Sequence, residues 1–328
     1  MEDHCAIMKD LSGSVLLRVT LIFSLITSLV AFPLVIFAFY SLSCAKASKL
    51  FHINVIIIFQ MHLLGFFFHC FSRIVLHSLD LYNYAFLDYC DMTPSTMRCF
   101  SFRIMYVGGL WVIGATTVPL IIERIIATKK SSSYEHTGCA IGIAMIVLHL
   151  LIAFIPTYLI FQHFNFQQPV MNYCMGMKQD KVGDSEKISI LFLVLQVLSR
   201  IIFHYLFKMN ENLRKEQLTS SLSNRYSLEQ NLKSMRTLKR FADLQAVFMV
   251  IHTTIFIFIL KFGPQMAKST YISMVELNAQ YPLYAIVSIV LILKKAHLNR
   301  VKLKKTLALH VQTDKSVYFE KFQKDLNW

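Results

Sequence analysis

Apolar positions along this chain gather in long blocks, separated by shorter polar stretches. Seven blocks approach or exceed the roughly 20 residues that a helix rising about 1.5 Å per residue needs to cross about 30 Å of hydrocarbon. They run at about 17–40, 51–70, 100–122, 137–161, 188–207, 242–262 and 271–293. Strict apolar–polar alternation, the mark of a membrane barrel, is absent, so every block is predicted to be a helix. The seventh is the most interrupted, by Glu276, Asn278 and Gln280. The predicted fold is an all-α membrane protein: one seven-transmembrane helix bundle over 1–328, with 294–328 as its tail. The polar segment 208–241 lacks Pro and Gly, so the fifth and sixth helices are predicted to run on beyond the hydrocarbon. In the tail, Leu303, Leu307 and Val311 recur at four-residue spacing among basic residues, a pattern that suits a helix lying on the inner leaflet.

Composition agrees with the pattern. Hydrophobic residues make up 55% and charged residues 16%, against a usual quarter or so charged, more apolar surface than a soluble chain can hide. Charge then sets the orientation. Of 33 Lys and Arg, 22 fall in the segments 41–50, 123–136 and 208–241 and the tail from 294, and seven fall in the amino terminus and the alternate loops. Positive charge collects on the cytoplasmic side, so the amino terminus is predicted outside and the tail inside. The acidic opening "MEDHCAIMKD" lacks the basic region of a cleavable signal peptide. The net charge of +14 therefore reports topology and contact with anionic lipid rather than nucleic-acid binding.

Among seven cysteines, Cys5, Cys90, Cys99 and Cys174 fall on the outer side, where disulfides persist. Cys174 is the sole cysteine of the long outer loop. Cys99, at the outer end of the third span, is its expected partner, and Cys90 is the rival. No CxxC or HxxxH spacing occurs, so neither a metal nor a cofactor is expected. No paired acids, facing Ser and His, or phosphate-cradling glycine loop suggests an enzyme. His149 and His252 stand alone on apolar faces and are expected to bond a neighbouring helix. Arg18, Arg103 and Arg200 lie near span ends and can snorkel. Glu276 is deeper and requires an explanation: a ligand contact, a helix cap or a pairing with another helix.

The stretch "PLIIERIIATKKSSSYEH" (119–136) ends the third span with Glu123 beside Arg124. Counting back in helical steps, Thr117, Gly114, Leu110, Tyr106 and Arg103 share the stripe of Arg124. Small and polar positions tend to face other helices, so Arg124 is expected in the cytoplasmic mouth, with Glu123 or Asp243 as its resting partner.

Seven spans with the amino terminus outside, a Cys 25 residues before an Arg in an acidic–Arg pair, and a Cys in the second outer loop resemble G-protein-coupled receptors. More narrowly, "IERIIATKKSSSYE" and "LSNRYSLEQNLKSMRTLKRF" are similar to segments of nematode serpentine chemoreceptors of the Sra superfamily, and the ending "SVYFEKFQKDLNW" looks like the Sre branch. The resemblance implies a chemosensory receptor of the plasma membrane, in the sensory cilia of chemosensory neurons, that binds an odorant, tastant or pheromone from outside and activates a heterotrimeric G protein. On that reading Tyr106, Leu110, Gly114, Glu276 and Asn278 are pocket candidates, and Glu123, Arg124, Asp243, Lys239 and Arg240 carry coupling. Lys233 and Arg236 flank the same crevice. "NAQYPLYAIV" replaces the NPxxY of rhodopsin-like receptors, no Tyr follows the acidic–Arg pair, and no N-x-S/T site occurs. A seven-span ligand-gated channel or odorant or gustatory receptor of inverted topology, and a transporter, are the alternative classes; the charge count opposes the first, and the lack of repeats and acidic relays opposes the second.

Overall fold

The computed structural model describes residues 2–44, 51–130, 134, 138–162, 164, 173, 174, 183–216 and 222–292. The basic tail from 294 lies outside them. Residues 1–286 form one compact unit, and 287–292 begin a second. The described residues are helical throughout, apart from turns and an isolated bridge residue, and seven helices are long and apolar enough to cross a membrane.

A short helix, α1 (Glu2–Gly13), precedes the first span, α2 (Val15–Ser43). Ser14 separates them by accepting from the backbone N–H of Leu17 (3.3 Å), an N-cap that starts α2 afresh. The second span, α3 (Ile53–Phe86), continues 16 residues past the predicted stop at 70. The third consists of α4 (Thr96–Ala115) and α5 (Thr117–Lys129), and the fourth is α6 (Ala140–Phe161). The fifth and sixth, α7 (Gly183–Glu216) and α8 (Leu222–Phe262), are 34 and 41 residues long, or about 50 and 60 Å. They overrun the hydrocarbon thickness. The seventh is α9 (Lys268–Asn278) followed, after a break at Ala279–Gln280, by α10 (281–292).

Burial is inverted relative to a soluble protein. Large apolar side chains such as Val19, Ile26, Phe154, Leu191, Tyr205 and Val247 point outward, while Ser24, His62, Arg73, Glu123, Gln196 and Gln245 are buried. Lipid tails are as apolar as leucine, so polar contacts and close packing hold such helices together. The tightest crossing is α3 on α4, where a β-carbon on Gly109 would lie 2.6 Å from the Gly65 carbonyl oxygen and 2.9 Å from the His69 nitrogen.

Each broken span carries a proline just past its break, whereas Pro33 and Pro156 lie inside the unbroken α2 and α6. Pro119 has no N–H to offer the Ala115 carbonyl four residues earlier, and Pro282 has none for Asn278. An unpaired carbonyl in hydrocarbon costs several kcal/mol, and beside both breaks side chains of neighbouring helices meet backbone carbonyls. At the third span, the Val112 carbonyl is met by His149 Nε2 of α6 (2.7 Å), Ile113 accepts from Gln245 of α8 (2.9 Å), and Gly114 accepts from Gln196 of α7 (2.9 Å). At the seventh, the Asn278 carbonyl is met by His252 Nδ1 of α8 (3.1 Å), while Arg73 of α3 donates to the carbonyls of Glu276 (2.7 Å) and Ala279. Both isolated histidines thus bond a neighbouring helix.

Gly109→Leu should force α3 and α4 apart at a backbone-to-backbone contact, costing at least about 3 kcal/mol. Gly108→Ala meets only the Thr157 methyl at 3.9 Å and should be neutral. The fraction of detergent-extracted protein eluting as a single species checks both, and equal yields of the two variants would remove the crossing's importance.

Candidate functional site

Two buried polar clusters stand at opposite ends of the third span. The first lies under the Cys99–Cys174 disulfide. Glu276 of α9, 1% exposed, pairs with Arg103 of α4 (2.9 Å) and lies 3.7 Å from Arg73 and 3.6 Å from His77 of α3. The hydroxyls of Tyr106 and Tyr173 donate to the same carboxylate at 3.1 and 3.2 Å. Arg103 also donates Nε–H to the Cys174 carbonyl, and Arg73 donates to Ser24 Oγ of α2 (2.8 Å). One carboxylate therefore ties together four helices and the segment carrying Tyr173 and Cys174. Its setting suits the charge: Arg73 sits on the last carbonyls of α9, where the helix dipole favours a cation. Burial first, and then the Glu276 carboxylate, push the Tyr173 phenol above its usual range, so it stays a donor.

This cluster corrects several expectations. Arg103 does not snorkel; it is 4% exposed and paired. Of the readings open to Glu276, the structure shows pairing with neighbouring helices. Arg73 and His77 fall in what hydropathy assigned to an outer loop. Their signal was helical: Arg73, His77, Asp80 and Tyr84 recur at steps of four, three and four, one face of a helix, and all four are buried. Cys90 bonds Cys5, so α1 is tied down across this end of the bundle. Met8 and Leu11 of α1 pack with Leu17, Tyr84, Met92, Tyr173 and Tyr271 in one apolar cluster, and Asp10 accepts from the Ser269 N–H and hydroxyl at the start of α9 (3.4 and 3.2 Å). Nothing in hydropathy marked α1, although Cys5, Met8 and Leu11 were available as signals.

The pocket candidates separate. Tyr106 joins Glu276, Leu110 is half-buried, and Gly114 lies against the Phe192 ring. Asn278 donates to the His252 carbonyl (3.1 Å) and lines a groove between α8 and α9 that none of the other four lines. Among the described residues no three His, Cys, Asp or Glu side chains converge as a metal site.

The second cluster is built on Glu123 and Arg124 of α5, 0% and 2% exposed. Arg124 grips the Glu123 carboxylate through Nε and Nη2, a two-point fork that suits guanidinium geometry. Its Nη1 crosses to α8, donating to Asn231 Oδ1 (3.1 Å) and Ser234 Oγ (3.2 Å). Tyr134 donates its hydroxyl to Glu123 and accepts from Asn54 of α3 (3.2 Å). Burial and, next, the Glu123 charge hold that phenol above its ordinary range. Asn231 continues to Asn210 of α7 (3.0 Å), which donates to Thr128 of α5 (2.9 Å). Of its two possible partners, Arg124 takes Glu123; Asp243 instead pairs with Arg200 of α7. Lys239 lies over the Phe207 ring of α7 (4.7 Å to the centroid), while Arg240, Lys233 and Arg236 are exposed.

Comparison with known proteins bears on what such a bundle does. Residues 2–327 match the family described as serpentine type 7TM GPCR receptor class ab chemoreceptor. Over 315 residues, 93% of this chain and 90% of the relative, the sequence is 22% identical to serpentine receptor class beta-6 of Caenorhabditis elegans. A shorter match of 149 residues, 45% of this chain and 39% of the relative, is 22% identical to serpentine receptor class alpha-39 of the same organism. These matches carry no Sre label.

Glu276→Gln leaves Arg103 buried without its counter-charge and should destabilise the receptor by about 3–5 kcal/mol. Asp243→Asn breaks a pair whose side chains are 29% and 40% exposed and should cost at most about 1 kcal/mol. Thermal unfolding of the two purified variants tests the ranking; equal midpoints would mean that Glu276 is not the tie described.

Proposed function

Because this chain belongs to the serpentine class ab family of seven-transmembrane chemoreceptors, we propose that it binds a small molecule from outside the cell and activates a heterotrimeric G protein through the Glu123–Arg124 cluster. The orientation follows the basic segments, which place the Arg124 end in the cytoplasm and the two disulfides outside, with the plasma membrane of sensory cilia as its site of action. The observation that carries the reading is the Arg124 latch. A guanidinium held by the carboxylate of its own helix reaches the sixth span through one remaining nitrogen. That arrangement has two natural states. With α8 packed against α5, Arg124 is sealed. With α8 displaced, Nη1 loses Asn231 and Ser234, and the cluster opens between α5, α7 and α8.

Ligand acts by population shift, favouring the conformer in which the fifth and sixth spans, α7 and α8, part from the third. The G protein then reads Arg124 together with the exposed basic side chains Lys233, Arg236 and Arg240. Lys239, held over Phe207 of α7, moves with that helix. Asp243 and Arg200 bridge α7 and α8 on the outward side and move as one unit with them.

Arg124→Ala should reach the cell surface and lose ligand-dependent G-protein activation. The double change Asn231→Ala and Ser234→Ala removes two hydrogen bonds to a charged group, each about 1.5 kcal/mol or more, and should raise unliganded signalling by at least about tenfold. Surface staining of an amino-terminal tag on intact cells, beside nucleotide exchange on co-expressed G protein, measures both. Normal signalling by the Arg124 variant sinks the latch, and a tag stained only after permeabilisation sinks the orientation.

A further inference from the structure

The lipid-facing side of the bundle carries a groove with two polar side chains in its lining. It lies between α8 and α9, holds about 310 Å³, and is lined by Phe248, Ile251, Ile255, Ile259, Met274 and Leu277, with His252 and Asn278 at its base. That volume is at the low end of the range of small-molecule sites, about 300–1,000 Å³. Ile251, Ile255, Met274 and Leu277 are exposed on the surface that faces lipid. Among the described residues the disulfide end is covered: α1 is bonded across it through Cys5–Cys90, and Tyr173 and Cys174 are buried within it.

His252 gives the groove its chemistry. Its Nδ1 faces the Asn278 carbonyl at 3.1 Å, and a carbonyl can only accept, so Nδ1 carries the proton. In the neutral ring Nε2 is then an acceptor. That atom has no hydrogen-bond partner among the described residues, and it is not one of the sealed polar atoms of the interior, although the residue is 8% exposed. The ring edge is therefore open to an occupant of the groove. A lipid acyl chain filling this space leaves the acceptor unpaired and desolvated; a molecule with one hydrogen-bond donor satisfies it.

We propose that this groove is a lateral binding site, entered from the bilayer, for an apolar molecule carrying a single hydroxyl or N–H donor that bonds His252 Nε2. The proposal deepens the receptor reading by naming the chemical class of its ligand. It also supplies a route to the helices. The donor at Nε2 fixes the tautomer whose Nδ1–H holds the Asn278 carbonyl, which also accepts from the Gln280 N–H at 2.8 Å. Occupancy thereby stiffens the break between α9 and α10 and the α8 contact beside it. Asn278 closes the loop by donating back to the His252 carbonyl at 3.1 Å.

The test uses full-length receptor in phosphatidylcholine nanodiscs and a heptanol bearing a diazirine on its chain. Photolabelling is mapped by peptide mass spectrometry and competed with two isomers of one formula, 1-heptanol and 1-methoxyhexane. The expected result is labelling concentrated on the α8 and α9 peptides. 1-Heptanol should compete at least about tenfold better than the ether, the worth of one hydrogen bond. Leu277→Trp, at an exposed position, should block labelling while leaving the fold intact, and His252→Phe should erase the preference for the alcohol. Labelling spread evenly over all spans, equal competition by the isomers, or an unchanged preference in His252→Phe each overturns the site in favour of simple lipid partition. No G protein is needed for this readout, so a failed latch experiment beside intact labelling would refute coupling and leave the groove standing.

Discussion

Every backbone carbonyl in hydrocarbon must find a donor, and two prolines make that requirement acute here. Pro119 and Pro282 each strip a donor from a spanning helix. The third and seventh spans break just before these prolines, and side chains of other helices donate to carbonyls beside each break. The donors are long or flat side chains, His149, Gln196, Gln245, His252 and Arg73, drawn from α6, α7, α8 and α3. These bonds make up one part of the bundle's polar interior, beside the clusters on Glu276 and on Glu123 and Arg124.

The same economy explains the ionic cluster below the Cys99–Cys174 bridge. Arg73 is drawn inward by carbonyls at the end of α9, and its charge is matched by Glu276 of the same helix. Arg103 shares that carboxylate and reaches the Cys174 backbone. Buried charges of this sort are weak evidence of extra stability, but losing one partner leaves the other buried and unpaired, at a cost of about 3–5 kcal/mol. The outer segment and the spans are locked in one arrangement at this end. At the Arg124 end, Arg124 of α5 reaches α8 through single hydrogen bonds to two short side chains, Asn231 and Ser234. Rigidity at one end and lightly held contacts at the other are what a transmitted change of shape requires.

Long apolar blocks revealed the seven spans without difficulty, because each needs about 20 residues of grease. The interior was harder to read. Hydropathy closed the second span at 70, since Arg73, His77 and Asp80 look like solvent-facing residues when averaged along the chain. Only their helical spacing shows that they share a face. Arg103 was assigned to snorkelling for want of a visible counter-charge, and Glu276 lies 173 residues away. Pairings at that separation are set by packing, which a single sequence does not display. For Arg124, proximity in sequence was informative: Glu123 is the neighbour it holds, and Asp243 is turned to Arg200 by the face of α8 on which it lies.

The length of α8 has a mechanical meaning. Gln245, bonded to the break in the third span, lies 23 residues from the start of the helix at Leu222, about 35 Å along its axis. A tilt of about 10° pivoting at that bond sweeps the far end through about 6 Å, while atoms within one turn of the pivot move less than about 1 Å. A rigid rod with an internal fulcrum turns a displacement too small to disturb a packed core into one of several ångströms at its end. The extra turns beyond the membrane act as a lever arm, and shortening them would reduce the stroke without touching a single contact at the fulcrum.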